Sequence, residues 1–283
     1  MAQVHFDLSV VTVVLNDNHG LEKTIKTIRT QEFLNIEHII VDGGSEDGSQ
    51  ILASKHSTVY VESRADGGIY PAMQRGATVA TGKYLIFCNA GDLLFGTEYL
   101  HGAIKHLEDS GSKWGYGPII EHTQRNTFAW VSSNSEANPK SIIARKDFVP
   151  FPSFIINREQ FNKVGGFSNL YRIAGDFELI CKVASQSSPV VFTDPIAIFS
   201  AGGISYTKAD LAWREELLIR KQILKFGFIQ NLGEICRFWL RFTKWKFGKF
   251  LDKVDEFFGN SSTSWRDKRA QKVPTKYLPE LIQ

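Results

Sequence analysis

The 283 residues carry 33 Lys and Arg against 30 Asp and Glu, and a net charge of +3 does not by itself suggest a nucleic-acid partner. A hydrophobic content of 43%, with 12% aromatics, supplies a substantial core for one large domain or for a domain with a tail. Met1 to Asp7 lacks the basic start of a signal peptide, and no run approaches the roughly 18 uncharged apolar residues that span a bilayer. Cys88, Cys181 and Cys236 are odd in number and widely spaced among apolar residues. They read as reduced core thiols, neither disulfides nor a zinc site, which points to a cytosolic compartment.

Leu8 to Leu15 is a β-branched run that reads as a strand ending at Asn16. Asn18 is placed to cap a helix through Gln31, with Leu21, Ile25 and Ile28 at helical spacing. Glu37 to Val41 reads as a second strand, followed by Asp42-Gly-Gly-Ser-Glu-Asp-Gly-Ser49 and a helix starting from Ser45. Val59 to Val61 makes a third strand, Ile69 to Ala80 a third helix and Tyr84 to Cys88 a fourth, buried strand. This alternation predicts a parallel, doubly wound sheet with right-handed crossovers.

Past Asn89 and Asp92 the spacing predicts a helix from Leu93 to His106, which Asp92 could cap. Trp114 to Ile120 and Phe128 to Val131 alternate like antiparallel strands, and Phe151 to Ile156 is a further strand candidate. Arg158 to Val164 reads as a short helix stopped by Gly165-Gly166, and Gly175-Asp176 opens another. Val190 to Thr193 and Ile196 to Ser200 close the sheet region, and the chain turns helical from Asp210. From Gly233 to Lys253, six cationic side chains stand against Glu234 and Asp252, a local charge of +4. Ile235, Trp239 and Phe242 line one face there, with Arg237 and Arg241 roughly opposite. Such a helix suits an anionic membrane surface, or it packs on the domain as an ordinary amphipathic helix.

Ligands of open α/β sheets bind just past the carboxyl ends of the strands. Asp42, Asp66 and Asp92 each follow a strand there, with Gly43 and Gly44 allowing close backbone approach to a ligand. A carboxylate at Asp92, beside the small Ala90 and Gly91, suits a divalent cation bridging to a diphosphate. The seven histidines show no metal-ligand spacing.

Four blocks together resemble glycosyltransferase family 2. They are Asp42 to Ser49, Asp66-Gly-Gly-Ile-Tyr-Pro-Ala-Met73 with Gly76, Ala80-Thr-Gly-Lys-Tyr84, and Asn89-Ala-Gly-Asp92, in the family's order and intervals. The resemblance covers about residues 8 to 205. It implies the A-type, Rossmann-like mixed α/β sheet flanked by helices, followed here by an amphipathic helical tail. It divides the chain into a catalytic domain over 1–205, with a nucleotide half to about 98 and an acceptor half from 99, and an extension over 206–283.

By that resemblance Thr12 and Asn16 lie beside the nucleotide, Asp42 recognises the base, and Asp66 belongs to the next nucleotide-contacting turn. Asp92 matches the carboxylate that holds Mn²⁺ or Mg²⁺, although Asn89 or Gly91 replaces a further Asp. Ile173-Ala-Gly-Asp-Phe-Glu-Leu179 is similar to the family's Glu-Asp motif, which makes Asp176 the implied general base. Ser205, in Gly202-Gly-Ile-Ser205, is a candidate donor to the diphosphate. The implied activity is inverting transfer from a nucleotide-diphospho-sugar to a saccharide or lipid-linked acceptor in surface glycan synthesis. The implied setting is the cytoplasmic face of the membrane, with a homo-oligomer possible. Other readings are a sugar nucleotidyltransferase or a scaffold that binds the nucleotide sugar without turnover. The first lacks a basic phosphate loop in Leu15 to Gly20.

Overall fold

A computed structural model describes residues 6–61, 67–123, 127–201, 208–224, 239, 240, 243, 271–278 and 281. The elements in chain order begin β1 Leu8–Val14, α1 Asn18–Arg29, β2 Ile36–Asp42, α2 Ser49–His56, β3 Val59–Val61, α3 Ile69–Val79 and β4 Tyr84–Phe87. These strands pair in parallel in the order β3-β2-β1-β4, as the alternation predicts. Asp17, not Asn18, caps α1 by accepting from the Gly20 N–H at 2.9 Å. The second helix starts four residues after Ser45, behind Gly48.

Beyond β4 the sheet ceases to be parallel. Next come β5 Leu93–Leu94, α4 Thr97–Ser110, β6 Trp114–Tyr116, β7 Ile119–His122, β8 Phe128–Val131, α5 Pro139–Ile143 and β9 Ile155–Asn157. Strand β9 inserts antiparallel between β4 and β6. Then follow α6 Arg158–Lys163, α7 Gly175–Ala184, β10 Val190–Val191, β11 Ala197–Ser200 and α8 Ala209–Leu224. The main sheet runs β10-β6-β9-β4-β1-β2-β3, and a second sheet runs β5-β11-β7-β8.

Three elements depart from the sequence reading. Leu93 and Leu94 pair antiparallel with β11, so α4 waits until Thr97 and Asp92 caps no helix. Trp114 to Ile120 is two strands, broken at Gly117-Pro118, and each half joins a different sheet. Proline cannot donate to a ladder, and the break sits where one would otherwise continue. Phe151–Ser153 is a 3-10 turn ahead of β9, fastened by the buried Ser153 hydroxyl to the Gly117 carbonyl at 2.7 Å.

Side-chain alternation along the central strands divides the core. Val11, Val13, Ile39 and Val41 pack with α3 and α7, while Val10, Val14 and Ile40 face the α1 side with Leu21, Ile25 and Ile28. Ile219 of α8, in the segment assigned to the extension, belongs to the α3 and α7 cluster. Residues 271–278 also return to the folded body. Gln271 accepts from the Trp130 N–H at 2.9 Å, and Tyr277 stacks on Trp130 while its hydroxyl donates to Asp194 at 2.8 Å. Cys88 and Cys181 are buried free thiols. Apart from Trp239, Leu240 and Thr243, the basic segment 233–253 lies outside the described residues. No helix among the described residues is long and apolar enough to cross a membrane.

The parity of β1 also fixes Thr12. Its side chain shares the α1 face and its hydroxyl meets His38 Nε2 at 3.0 Å. Burial, assisted by Arg29, pushes His38 down from its ordinary 6.5 to about 4, so the ring is neutral in the fold. The stability this gives is complete above the unfolded value of 6.5 and is lost as pH falls toward 4. The acid-side slope should therefore be shallower in His38→Gln than in wild type, by up to about 1.4 kcal/mol per pH unit. Urea unfolding between pH 4 and 7 measures it, and parallel slopes in the two proteins would contradict the assignment.

Candidate active site

The carboxyl ends of β1, β2 and β4 meet at one edge. Asn16 takes a left-handed φ of +52° there. Its N–H donates to Ser45 Oγ at 2.8 Å, and its side-chain oxygen accepts from the Glu46 N–H at 2.8 Å. The loop after β1 is thereby stitched to the loop after β2, and Gly43 closes the seam by donating to the Val14 carbonyl at 2.9 Å. Asp42 ends β2 fully buried. Its Oδ1 accepts from the Gly44 and Ser45 N–H groups at 3.0 and 2.8 Å, while Oδ2 is buried without a partner. A buried acceptor left open is costly unless a ligand donor meets it.

The Asn89 to Asp92 turn lies alongside, with the Ala90 N–H donating to the Val13 carbonyl at 3.1 Å. Gly91 has φ +90°, which an L side chain adopts only with strain. Its N–H donates to the Thr24 hydroxyl, which in turn donates to the Asp92 carbonyl, at 3.0 and 2.7 Å. Asp92 is 4% exposed and accepts through Oδ1 from the Ser200 N–H at 2.9 Å, tying the turn to the end of β11. Burial pushes its carboxyl up to about 7 against that N–H.

Sequence reasoning missed a second carboxylate at this turn. Asp17, holding α1 through Oδ1, brings Oδ2 to 3.5 Å from where a Cβ on Gly91 would stand. Asn89 Oδ1 is buried without a partner. No group of three His, Cys, Asp or Glu residues suited to a metal exists among the described residues. An all-oxygen set of Asp92 and Asn89 nonetheless fits a hard cation that takes its remaining ligands from phosphate and water.

Thr12 does not join this edge, because its hydroxyl is committed to His38 inside the α1 face. Asp66 and Ser205 lie outside the described residues.

Asp176 is the second residue of α7 and is half-buried. Tyr70, in the first turn of α3, shares its O–H between the Ile173 carbonyl at 2.6 Å and Asp176 Oδ1 at 3.1 Å. The Phe177 N–H also donates to Oδ1, at 2.8 Å. Both contacts fall on one oxygen, which leaves Oδ2 open among the described residues. Because α3 starts where β3 hands over at the same sheet edge, Tyr70 holds the α7 carboxylate beside that edge. Burial raises the Asp176 carboxyl, opposed by the Phe177 N–H, the Arg145 guanidinium and the Tyr70 hydroxyl. Burial together with the Asp176 charge raises Tyr70 well above its ordinary value, so it stays a donor.

A cavity of about 130 Å³ adjoins Tyr70 and Ile173, and Gly67, Gly68, Arg172 and Lys208 line it as well. A larger one of about 980 Å³ opens beside Asp17, Gly91 and Ser200, with no α7 residue in its wall.

With this geometry in place, comparison with known proteins is decisive. The family model for glycosyl transferase family 2 matches residues 9–173. The chain belongs to that family. A glycosyltransferase of Mycobacterium tuberculosis strain H37Rv is 28% identical over 238 residues, covering 81% of this chain and 84% of the relative. A PGL/p-HBAD biosynthesis glycosyltransferase of Mycobacterium bovis BCG is 25% identical over 220 residues, covering 74% and 83%. Among solved structures, S. aureus TarS in complex with UDP-GlcNAc superposes with a TM-score of 0.61 at 14% identity, covering 81% of this chain and 69% of TarS. The mannosyltransferase PcManGT of Pyrobaculum calidifontis, in complex with GDP-Man and Mn²⁺, gives 0.57 at 18%, covering 83% and 70%. These two show that the fold is the A-type glycosyltransferase fold, and family membership makes the chain a glycosyltransferase.

Packing at the start of α7 leaves no room for a side chain at Gly175. A Cβ at Gly175 would lie 2.6 Å from Cδ2 of the Tyr70 ring. Gly175→Ala should destabilise the glycosyltransferase by about 1–3 kcal/mol through overpacking. Urea unfolding measures this. Stability equal to wild type would mean that the Tyr70 ring is not held against the start of α7.

Proposed function

We propose that this glycosyltransferase moves a sugar from a nucleotide-diphospho-sugar to an acceptor hydroxyl in one displacement that inverts the anomeric centre, with Asp176 as the base. The observation that carries the reading is Asp176 itself, with Oδ1 fixed by Tyr70 and Phe177 and Oδ2 open. The acceptor hydroxyl donates to Oδ2 and passes its proton there as its oxygen bonds to the anomeric carbon. The bond from that carbon to the diphosphate oxygen breaks in the same step, and the nucleoside diphosphate leaves with the electron pair.

The donor lies along the sheet edge. Asp42 Oδ2, buried and unpartnered, accepts from a base N–H or a ribose hydroxyl. Asn16 and Gly43 flank it, and Ala90 and Gly91 give the diphosphate room; Asp66 and Ser205 are assigned to the donor by the family resemblance alone. The complexes of the two structural neighbours with UDP-GlcNAc and GDP-Man support this donor class. Asp92 with Asn89 would hold Mn²⁺ or Mg²⁺, the former seen with the mannosyltransferase. When bound, such a cation offsets charge on the departing diphosphate. We place the enzyme on the cytoplasmic face of the membrane, with the basic aromatic segment 233–253 on anionic lipid and a saccharide or lipid-linked acceptor.

Asp176→Asn should lose transfer by about 10²–10⁴-fold, the usual worth of a general base. Its binding of nucleoside diphosphate by calorimetry should match wild type. Full transfer by the variant would overturn the assignment. In the same assay Asp92→Ala should bind UDP or GDP with no enhancement from Mn²⁺. An enhancement equal to wild type would remove Asp92 from the metal site.

A further inference from the structure

The surroundings of Asp176 come from three elements outside its own helix, and two of their residues sit in strained or desolvated positions. Glu215 of α8 is 7% exposed and accepts three consecutive backbone N–H groups, those of Arg172, Ile173 and Ala174, at 3.0, 2.9 and 2.9 Å. These amides lead directly into α7, where no side chain caps the helix. Glu215 therefore fixes the backbone that enters α7, at the end of the helix where an anion is favoured.

Arg145, just past α5, takes a left-handed φ of +58°, which is uncommon for a non-glycine residue and marks a site the surroundings hold in place. Its Nη2 donates to Glu216 Oε1 at 2.6 Å, with both side chains largely buried. Its guanidinium lies 4.6 Å from the centre of the Phe177 ring, the residue after Asp176. Removing one member of such a pair leaves an uncompensated charge beside the site.

We propose that Glu215 and the Arg145–Glu216 pair are positioning residues for Asp176, with α8 setting where that carboxylate stands and how readily it takes a proton. This rests on the reading of Asp176 as the base. The groups acting on Asp176 from other elements are Tyr70 from α3, Arg145 from the turn after α5 and Glu216 from α8, while Glu215 acts on Tyr70 and Arg220 on Cys181. Glu178, Cys181 and Lys182 share its own helix. Of these, Arg145 and Tyr70 favour the ionised carboxylate and Glu216 disfavours it. The two members of the ion pair carry opposite charges and bias the Asp176 carboxyl in opposite directions.

The test is a carboxyl ¹³C NMR titration of Asp176 in the full chain, with Asp176→Asn identifying the resonance. Arg145→Gln should move the midpoint up, Glu216→Gln should move it down, and Arg145→Lys should stay near wild type. If Arg145→Gln does not fold, the near-isosteric Glu216→Gln decides alone. For Glu215→Gln, the amides of Arg172, Ile173 and Ala174 should exchange with solvent at least about tenfold faster, as expected when hydrogen bonds to a charge are lost. An unmoved midpoint, a shift of the same sign in both variants, or unchanged amide exchange would overturn the proposal. If Asp176→Asn has lost transfer while the midpoints do not move, the base assignment stands and the positioning proposal fails. If the midpoints move but Asp176→Asn retains transfer, the base assignment is what fails.

Discussion

Three backbone N–H groups in succession converge on the Glu215 carboxylate, and the backbone leading to Asp176, the proposed base, is placed by that contact. Without an acceptor, those donors would be stranded in a desolvated position. With it, α7 starts at a fixed point, and Asp176 is held from the other side by a tyrosine whose own helix begins at the donor edge. Two elements far apart in the chain thus meet on Ile173, three residues before Asp176. The same tyrosine excludes a side chain at Gly175, which explains why a glycine precedes the aspartate here.

The donor edge is organised differently. Its loops are fastened to one another by short polar contacts, Asn16 with Ser45 and Glu46, and Asp92 with Ser200, and not by a large apolar interface. Such stitching fixes backbone geometry while leaving selected acceptors open, notably Asp42 Oδ2 and Asn89 Oδ1. The weak point in the sequence was a turn with a single carboxylate. In the fold, Asp17 of the neighbouring loop approaches Gly91, so the negative charge at this turn exceeds what the motif alone contains.

Much of this was legible in the residues. The first four strands and three helices follow from apolar runs alternating with helical spacing, because a parallel sheet covered on both faces leaves little freedom in pattern. The acidic turns at strand ends and the Gly175-Asp176 helix start were visible for the same reason. Other features depended on pairings between distant segments. Leu93 and Leu94 fit a helix until β11 takes them into a second sheet. The family resemblance puts Thr12 beside the nucleotide, whereas strand parity sets it with Val10 and Val14 against α1. Glu215 did leave a trace, since it stands at i+4 between Leu211 and Ile219, a carboxylate on an apolar stripe. Arg145 and Glu216 left none, because an ion pair spanning 71 residues has no local pattern.

The proposed inverting transfer uses one base and one direct displacement, with no covalent sugar–enzyme intermediate. The anomeric configuration of the product, read by NMR during the first turnovers before any mutarotation, tests this most directly. Inversion relative to the donor is the predicted result. Retention would contradict it, since a single displacement from the face opposite the leaving group must invert the centre.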